Sequence, residues 1–230
     1  MCFSAVASFT SSVILVTAGI VCLSKTLSKN KSHWVFSLFP LAFGIQQAFE
    51  GGVWLTSGGG DNEWLRMFAL GFLFFSHFFW PLWVPYSCYL AESAQRTKRL
   101  FKSLTVLGAG FGLTLYLPFI FNPSWLSVSI VNHSVIYDTT LVSDAYLPRE
   151  IVTSAYVLLV IAPLLLSVDR YYRILGVFVL LSMVFTLIFF NLAFISVWCY
   201  FAAIISMYVY YIAVFRVVEV RRAGDVVVQS

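Results

Sequence analysis

The sequence predicts an all-α integral membrane protein: a bundle of about seven transmembrane helices with a small β-hairpin on its outer side. Two observations support this fold class. Of the 230 residues, 60% are hydrophobic and only 10% are charged, and the apolar residues form long runs. Soluble domains carry about 25% charged residues, so this chain cannot cover a water-soluble surface of its size.

Seven segments approach the length of about 20 mostly apolar residues that a spanning helix needs. The third segment is long enough to tilt, and a short apolar link around Asn191 separates the last two. The predicted spans are Ala5–Leu23, Trp34–Leu55, Trp64–Leu90, Ser103–Phe121, Glu150–Leu166, Arg173–Phe190 and Phe194–Phe215. We expect one transmembrane domain over residues 1–220 and a short cytoplasmic tail over residues 221–230.

Positive charge predicts the orientation. Lys and Arg cluster in alternate loops, around 25–31, 96–102 and 170–173 and after the last span, whereas the other loops carry little or no positive excess. The positive-inside rule therefore places the N-terminus outside and the C-terminus in the cytoplasm of a multi-pass cell-membrane protein. The basic residues form no stripe on a soluble face, so the predicted partner is the lipid bilayer and no nucleic acid is expected.

The loop from Asn122 to Arg149 is too long for a simple turn. Two β-prone runs, Ser127–Val131 and Val135–Tyr137, flank the polar turn residues Asn132, His133 and Ser134. This pattern predicts a β-hairpin over the outer mouth of the bundle.

Glu50 and His77 are the two ionisable residues well inside the predicted spans, and such residues are costly in a bilayer. Gln46, Glu50 and Trp54 recur every four residues on one helix face, and Gln47 borders Glu50. This spacing predicts a polar stripe in the outer third of the second span. In the functional interpretation, the Glu50 carboxyl acts in catalysis. In the structural alternative, Glu50 is neutral and bonded to an amide where two helices pack.

His77 lies before two prolines one turn apart. Pro81 cannot donate to the carbonyl of His77, and Pro85 cannot donate to that of Pro81, so we expect a bent helix and two carbonyls in need of partners. A kink beside His77 and Trp80 predicts a cavity wall, with His77 as the second candidate catalytic residue. The alternative is a buried His bonded to a neighbouring helix.

Further binding candidates converge on the outer half of the bundle. Trp198 and Cys199 lie a little over one turn into the last span, and Cys2 and His133 lie above them. A lone intramembrane Cys is more often a packing residue. A mixed set of Glu50, His77 and a Cys would suit a divalent metal such as zinc, which accepts O, N and S donors; the identity of any metal stays open.

Three stretches together resemble a family of uncharacterised bacterial multi-pass membrane proteins. They are Met1–Phe9, Gln46–Trp54 and Ser196–Ala203, and the resemblance covers nearly the whole chain. It implies a bacterial inner-membrane protein and no known activity. Retinal proteins and three-His zinc hydrolases fit poorly, because the last span has no Lys and no His follows His133.

Three classes of function follow from the sequence. The first is a polar outer pocket around Glu50 and His77 that binds or processes a small or lipid-like molecule. The second is a proton- or ion-coupled transporter or channel, and the third is a structural or sensory scaffold without catalysis. The lack of internal repeats disfavours the second, and the lack of an attached cytoplasmic domain weakens a signalling form of the third. Whether the protein is an enzyme is not decided by the sequence.

Overall fold

A computed structural model of the chain describes residues 4–27, 34–59 and 63–228, without the side chains of residues 59, 191 and 213–228. This part forms nine α-helices, a π-helical turn and one antiparallel hairpin. The helices are α1 Ala5–Leu27, α2 Trp34–Ser37, α3 Phe39–Thr56, α4 Glu63–Leu73, α5 Trp80–Ala91, α6 Gln95–Phe121, α7 Arg149–Leu166, α8 Arg170–Phe189 and α9 Phe194–Val228. The π-helical turn is Phe74–Phe79, and the strands are β1 Leu126–Val131 and β2 Ser134–Thr139.

Six helices in the described ranges are long and apolar enough to cross a membrane. They confirm the all-α membrane fold class and a lipid environment. They are Ala5–Leu27, Glu63–Ala91, Gln95–Phe121, Arg149–Leu166, Arg170–Phe189 and Phe194–Ile212. The predicted second span is not among them, because its polar stripe lowers its hydropathy. The count of seven spans therefore stays a prediction.

The predicted second span is broken into two helices at Leu38. Pro40 has no N–H to donate to the carbonyl of Phe36 and its ring crowds that carbonyl, so the chain turns and starts again as α3. α3 is central: most of its side chains are buried. It packs against α1 through glycines, since a Cβ on Gly19 would lie 2.5 Å from Leu41 N and one on Gly44 2.8 Å from Val16 N.

The two prolines of the predicted third span coincide with a change of helix type. The N–H of Trp80 bonds to Phe75 O, five residues back, instead of Ser76 O. The carbonyls that Pro81 and Pro85 leave without a helical donor face α6, where glycines let them approach. A Cβ on Gly108 would lie 2.0 Å from Pro81 O, and one on Gly112 would lie 3.1 Å from His77 O.

The hairpin is present as predicted, with β1 and β2 paired in register from Leu126↔Thr139 to Val131↔Ser134. Asn132 and His133 both have positive φ, 50° and 56°, as a two-residue type I′ turn requires. Tyr137 stacks on Phe72 of α4, with ring centroids 4.8 Å apart. β2 therefore packs on the second half of α4 through Tyr137, and its Ile136 packs against the cluster around Val197 near the start of α9.

Opposite ends of the bundle are each tied by a charged side chain. At the hairpin end, Arg66 of α4 donates to Phe119 O and Ile120 O at the end of α6. At the other end, the buried Glu92 carboxyl accepts from the backbone N–H groups of Ser93, Ala94 and Val168. The end of α6 therefore lies at the hairpin end with the start of α4. The α5–α6 and α7–α8 loops lie together at the opposite end, as expected for helices that cross a membrane in alternate directions.

Candidate functional site

A cavity of about 520 Å³ lies beneath the hairpin, between the π-helical turn, α6, α7, the end of α8 and the start of α9. This volume is within the range of about 300–1,000 Å³ that small-molecule sites occupy. Its wall carries the polar side chains of Ser76, His77, Tyr137, Thr139, Arg149, Glu150, Thr153, Ser154, Tyr156 and Cys199. The rest of the wall is apolar except for the indole N–H of Trp198.

His77 reaches this wall because the π-helical turn positions it there. It is buried, with 8% of its surface exposed, and its Nδ1 lies 2.9 Å from Ser76 Oγ. That contact leaves Nε2 as the ring nitrogen for a ligand. The π-helical turn also releases Ser76 O from its helical donor, and the hydroxyl of Tyr156 on α7 donates to that carbonyl. Tyr156 thereby joins α7 to the segment that carries His77.

Glu50 lies behind the cavity wall rather than in it. Its side chain is fully buried, and Oε1 accepts a hydrogen bond from Ser196 Oγ on α9. Oε2 has no hydrogen-bond partner within the part of the chain that the structure describes. Tyr137 and Cys199, which line the cavity, both lie within electrostatic range of this carboxyl. Glu50 is therefore one side chain away from the cavity.

The amides of the polar stripe are fully buried beside Glu50. Gln46 Oε1 accepts a hydrogen bond of 2.8 Å from the indole N–H of Trp80, whose ring stacks on Phe43 with centroids 3.9 Å apart. Among the described residues, Gln46 Nε2 and both polar atoms of Gln47 have no partner at hydrogen-bond geometry, although Gln47 lies near the Glu50 carboxyl and Gln46 near the Cys199 thiol. Since buried polar groups are normally paired, this stripe retains unused hydrogen-bonding capacity.

The other predicted site residues separate into three groups. Trp198 and Cys199 line the cavity. Trp54 is half-buried near the end of α3, and no described residue bonds to its indole N–H. His133 is exposed at the hairpin tip, away from the cavity wall. Cys2 lies outside the described residues, so its prediction is not tested.

Glu50 and His77 both face the bundle interior, but each has its own partner. The Glu50 carboxyl bonds to Ser196 and the His77 ring bonds to Ser76, so the two are not joined by a direct hydrogen bond. A link through water stays a prediction. Among the described residues, no group of three His, Cys, Asp or Glu side chains could hold a metal ion, and Cys2 falls outside that part of the chain.

Sequence reasoning missed three residues of the site. Ser196 is one turn before Cys199 on α9, so the helical spacing could have drawn attention to it. Tyr156 is one of 12 tyrosines in an apolar helix, and its contact with Ser76 depends on a π-helical turn that the sequence does not reveal. Tyr137 was recognised as part of a β-prone run, but not as a side chain of the cavity wall.

Arg149 lines the cavity at the hairpin end, and Asp144 is its ion-pair partner. Arg149, at the start of α7, contacts Asp144 at 2.7 Å and donates to Thr139 O at the end of β2. The hydrogen bond from Arg149 lowers the pKa of the Asp144 carboxyl below its ordinary value, against a smaller opposite effect of burial. The pair therefore fastens the hairpin to α7.

Comparison with known families decides the affiliation of the chain. The model of a family of unknown function, DUF6629, matches residues 1–224. The chain belongs to this family. The match confirms the predicted affiliation with an uncharacterised family and brings no activity with it. No curated protein and no solved structure matches the chain.

Proposed function

We propose that this member of DUF6629 binds a small amphiphilic molecule in the cavity beneath the hairpin, with His77 as the polar group that the ligand contacts. The position of His77 carries this proposal: its ring is buried in a π-helical turn, held at Nδ1 by Ser76, and lies in the wall of a cavity of about 520 Å³. Intramembrane ionisable residues are costly and mark functional sites, and π-helical turns occur frequently at such sites.

The distribution of polar groups favours an amphiphile over an ion. Thr139, Arg149 and Glu150 lie at the outer edge of the cavity, and His77 and Tyr156 lie deeper. The remaining surface includes Leu115, Val135, Leu187, Leu192, Phe194 and Ile195. Ligand sites commonly combine such apolar walls with a few placed polar groups.

We assign Glu50 a positioning role in the same site. Its bond to Ser196 ties α3 to the turn of α9 that carries Trp198 and Cys199, and those two residues form part of the cavity wall. Gln46 and Gln47 extend the polar environment of the carboxyl. Loss of Glu50 should therefore change the shape of the cavity without removing a ligand contact.

The cavity opens on the outer side in the orientation that we propose. Described basic residues concentrate at the end of the bundle that Glu92 ties: Lys25, Arg96, Lys98, Arg99, Lys102, Arg170 and Arg173. At the hairpin end, Arg66 is bonded to backbone carbonyls and Arg149 to Asp144. By the positive-inside rule the first end is cytoplasmic, which puts the N-terminus outside and the C-terminus inside.

The test is ligand retention by the protein in lipid nanodiscs, with dodecanol as the probe and native mass spectrometry as the readout. His77→Asn keeps a polar atom near Nδ1 for Ser76 and removes Nε2, whereas His77→Gln keeps one near Nε2. We expect His77→Asn to bind dodecanol about tenfold more weakly, because a lost bond to a buried polar group costs about 1–3 kcal/mol. His77→Gln should restore part of the binding.

His133→Asn is the matched control, since His133 lies at the exposed hairpin tip. Tyr156→Phe, which removes the bond to Ser76 O, should weaken binding, and Tyr86→Phe, outside the cavity, should not. Equal dodecanol retention by the wild type, His77→Asn and Tyr156→Phe would show that the cavity is not the binding site.

A further inference from the structure

A second, smaller gap lies directly below the cavity. It has a volume of about 40 Å³ and is bounded by α3, α5, α7, α8 and α9. Three side chains, Tyr156, Trp198 and Cys199, line both spaces. These three side chains therefore lie between the gap and the cavity.

Along both α7 and α9, the lining residues run from the cavity to the gap as the helix leaves the hairpin end. On α9, Phe194 and Ile195 line the cavity, Trp198 and Cys199 line both spaces, and Ser206 lines the gap. From Phe194 to Ser206 the helix rises about 18 Å. α9 therefore forms one wall of a path that runs from the hairpin end into the bundle.

α7 repeats this order on a second wall. Arg149 and Val152 line the cavity, Tyr156 lines both spaces, and Val160 and Leu164 line the gap. From Arg149 to Leu164 the helix rises about 22 Å. Two helices thus give the same direction and nearly the same depth.

The chemistry of the path changes with depth. Its outer part carries charged and hydroxyl side chains, and its middle carries His77 and Tyr156. Its deep end is lined by Phe39, Phe43, Val84, Leu164, Leu175 and Val179. Ser206 lines this end as well, but its hydroxyl is bonded to Ala203 O of its own helix, so it offers little to a polar ligand.

We propose that the ligand of this site is a single-chain amphiphile, whose hydrogen-bonding head lies at His77 and Tyr156 and whose alkyl chain passes Trp198 into the apolar gap. This inference rests on the proposed function and specifies its ligand class. Atoms that line an empty apolar gap lose dispersion contacts. An alkyl chain in the gap would restore those contacts, whereas a water molecule there would find too few polar groups to hydrogen-bond. The deep end is much smaller than the cavity, about 40 Å³ against about 520 Å³, and this favours the end of one alkyl chain over the two chains of a lipid.

The experiment maps where each end of such a molecule lies. Two photoreactive hexadecanols are used with the protein in nanodiscs: one carries a diazirine on its last carbon and the other carries it beside the hydroxyl. After irradiation, peptide mass spectrometry identifies the labelled residues. We expect the terminal probe to label Leu164, Leu175, Val179 or Ala202, and the hydroxyl-side probe to label Tyr156, His77 or their neighbours in the cavity wall.

Ala202→Phe fills the gap and should eliminate most of the deep labelling by the terminal probe. Ile204→Phe, on the exposed face of the same helix, is the matched control and should leave it unchanged. Val179→Phe fills the gap from α8 and serves if Ala202→Phe does not fold. Deep labelling that persists in these variants would overturn the inference.

The outcomes separate this inference from the proposed function. Labelling of the cavity wall by the hydroxyl-side probe, with the terminal probe confined to lipid-facing residues, would remove the alkyl-chain path and leave the cavity as a binding site. If neither probe labels the cavity wall and His77→Asn changes nothing, both proposals are wrong.

Discussion

Ser196 on α9 donates a hydrogen bond to the Glu50 carboxyl on α3, across 146 positions of the sequence. Both side chains are fully buried. A buried carboxyl that loses its partner keeps its desolvation penalty, so this single bond has a large influence on how α3 and α9 meet. Because Trp198 and Cys199 follow Ser196 on the same helix, the bond also sets the position of the cavity wall.

We predict that Glu50→Gln folds with nearly wild-type stability and that Glu50→Ala folds with lower stability. Gln keeps an oxygen that can accept from Ser196, whereas Ala leaves the Ser196 hydroxyl without its acceptor. The expected loss for Glu50→Ala is about 1–3 kcal/mol, seen as a lower melting temperature in detergent. Ser196→Ala should fall between the two.

The control for this series is Glu63→Gln, at an exposed acid at the start of α4, which should leave the melting temperature unchanged. Dodecanol retention should fall in the same order as the melting temperature, so Glu50→Gln should retain binding and Glu50→Ala should bind most weakly. If Glu50→Gln keeps its melting temperature but loses binding, the carboxyl has a direct functional role and the positioning assignment is wrong.

Much of the fold follows from local sequence, and the contacts of the site do not. Long apolar runs predict the helices because each span satisfies its own backbone, and the spacing of Gln46 and Glu50 predicts a buried stripe. The partner of Glu50 is distant in sequence, and nothing local selects Ser196. The start of α6 was predicted at Ser103 but lies at Gln95, because a basic first turn lowers hydropathy without interrupting the helix.

Helix geometry limits sequence reasoning in the same way at His77. The two prolines indicate which carbonyls lose their donors, but they do not indicate a π-helical turn or the neighbour that covers those carbonyls. Tyr156 can bond to Ser76 O because the turn shifts the acceptor of the Trp80 N–H by one residue, from Ser76 O to Phe75 O. Contacts that depend on such a shift require the structure.

A second prediction concerns the orientation of the bundle. A cysteine at Tyr146, which is 83% exposed near the hairpin, should react with a membrane-impermeant maleimide on intact cells. A cysteine at Ala94, exposed in the α5–α6 loop, should react only after the membrane is permeabilised. Both variants are made with Cys2→Ser so that the native N-terminal thiol does not contribute. The reverse pattern would invert the proposed topology.

A third prediction concerns the pH dependence of the hairpin. Arg149 lowers the pKa of Asp144, so the pair stabilises the closed hairpin above the ordinary Asp pKa of about 3.9. That stabilisation is lost as pH falls through the lowered pKa of the folded state. A spin label at His133→Cys, in a Cys2→Ser background, should become more mobile as pH falls through this range.

Asp144→Asn should give the mobile spectrum already at neutral pH, because an amide cannot form the ion pair. Asp138→Asn, at an exposed acid on β2, is the matched control and should leave the pH profile unchanged. A profile that is the same in the wild type and Asp144→Asn would show that the ion pair does not fasten the hairpin.

The last prediction concerns the glycines of α6 that face the carbonyls freed by the two prolines. A Cβ on Gly108 would lie 2.0 Å from Pro81 O and 2.7 Å from Pro81 C, both rigid backbone atoms. A Cβ on Gly112 would lie 2.9 Å from Phe78 Cα and 3.1 Å from His77 O. Small residues let helix backbones approach in membranes, and Cα–H groups then give weak hydrogen bonds to such carbonyls.

Gly108→Ala should therefore destabilise the bundle most, by at least the roughly 1–3 kcal/mol of an overpacked core, and Gly112→Ala should cost less. Gly110→Ala is the matched control on the same helix, because no described atom outside its own stretch of helix lies within 4 Å of its Cβ position. It should be neutral or stabilising, since Ala exceeds Gly in helix propensity by about 1 kcal/mol. Melting temperatures in one detergent measure the order.

The same series tests whether the π-helical turn holds the cavity in shape. Because Gly112 meets the segment that carries His77, Gly112→Ala should displace that ring and weaken dodecanol binding more than its melting temperature suggests. Gly110→Ala should leave binding unchanged. Equal melting temperatures for all three alanine variants would mean that α6 does not approach the proline-containing segment, and the freed carbonyls would then need another partner.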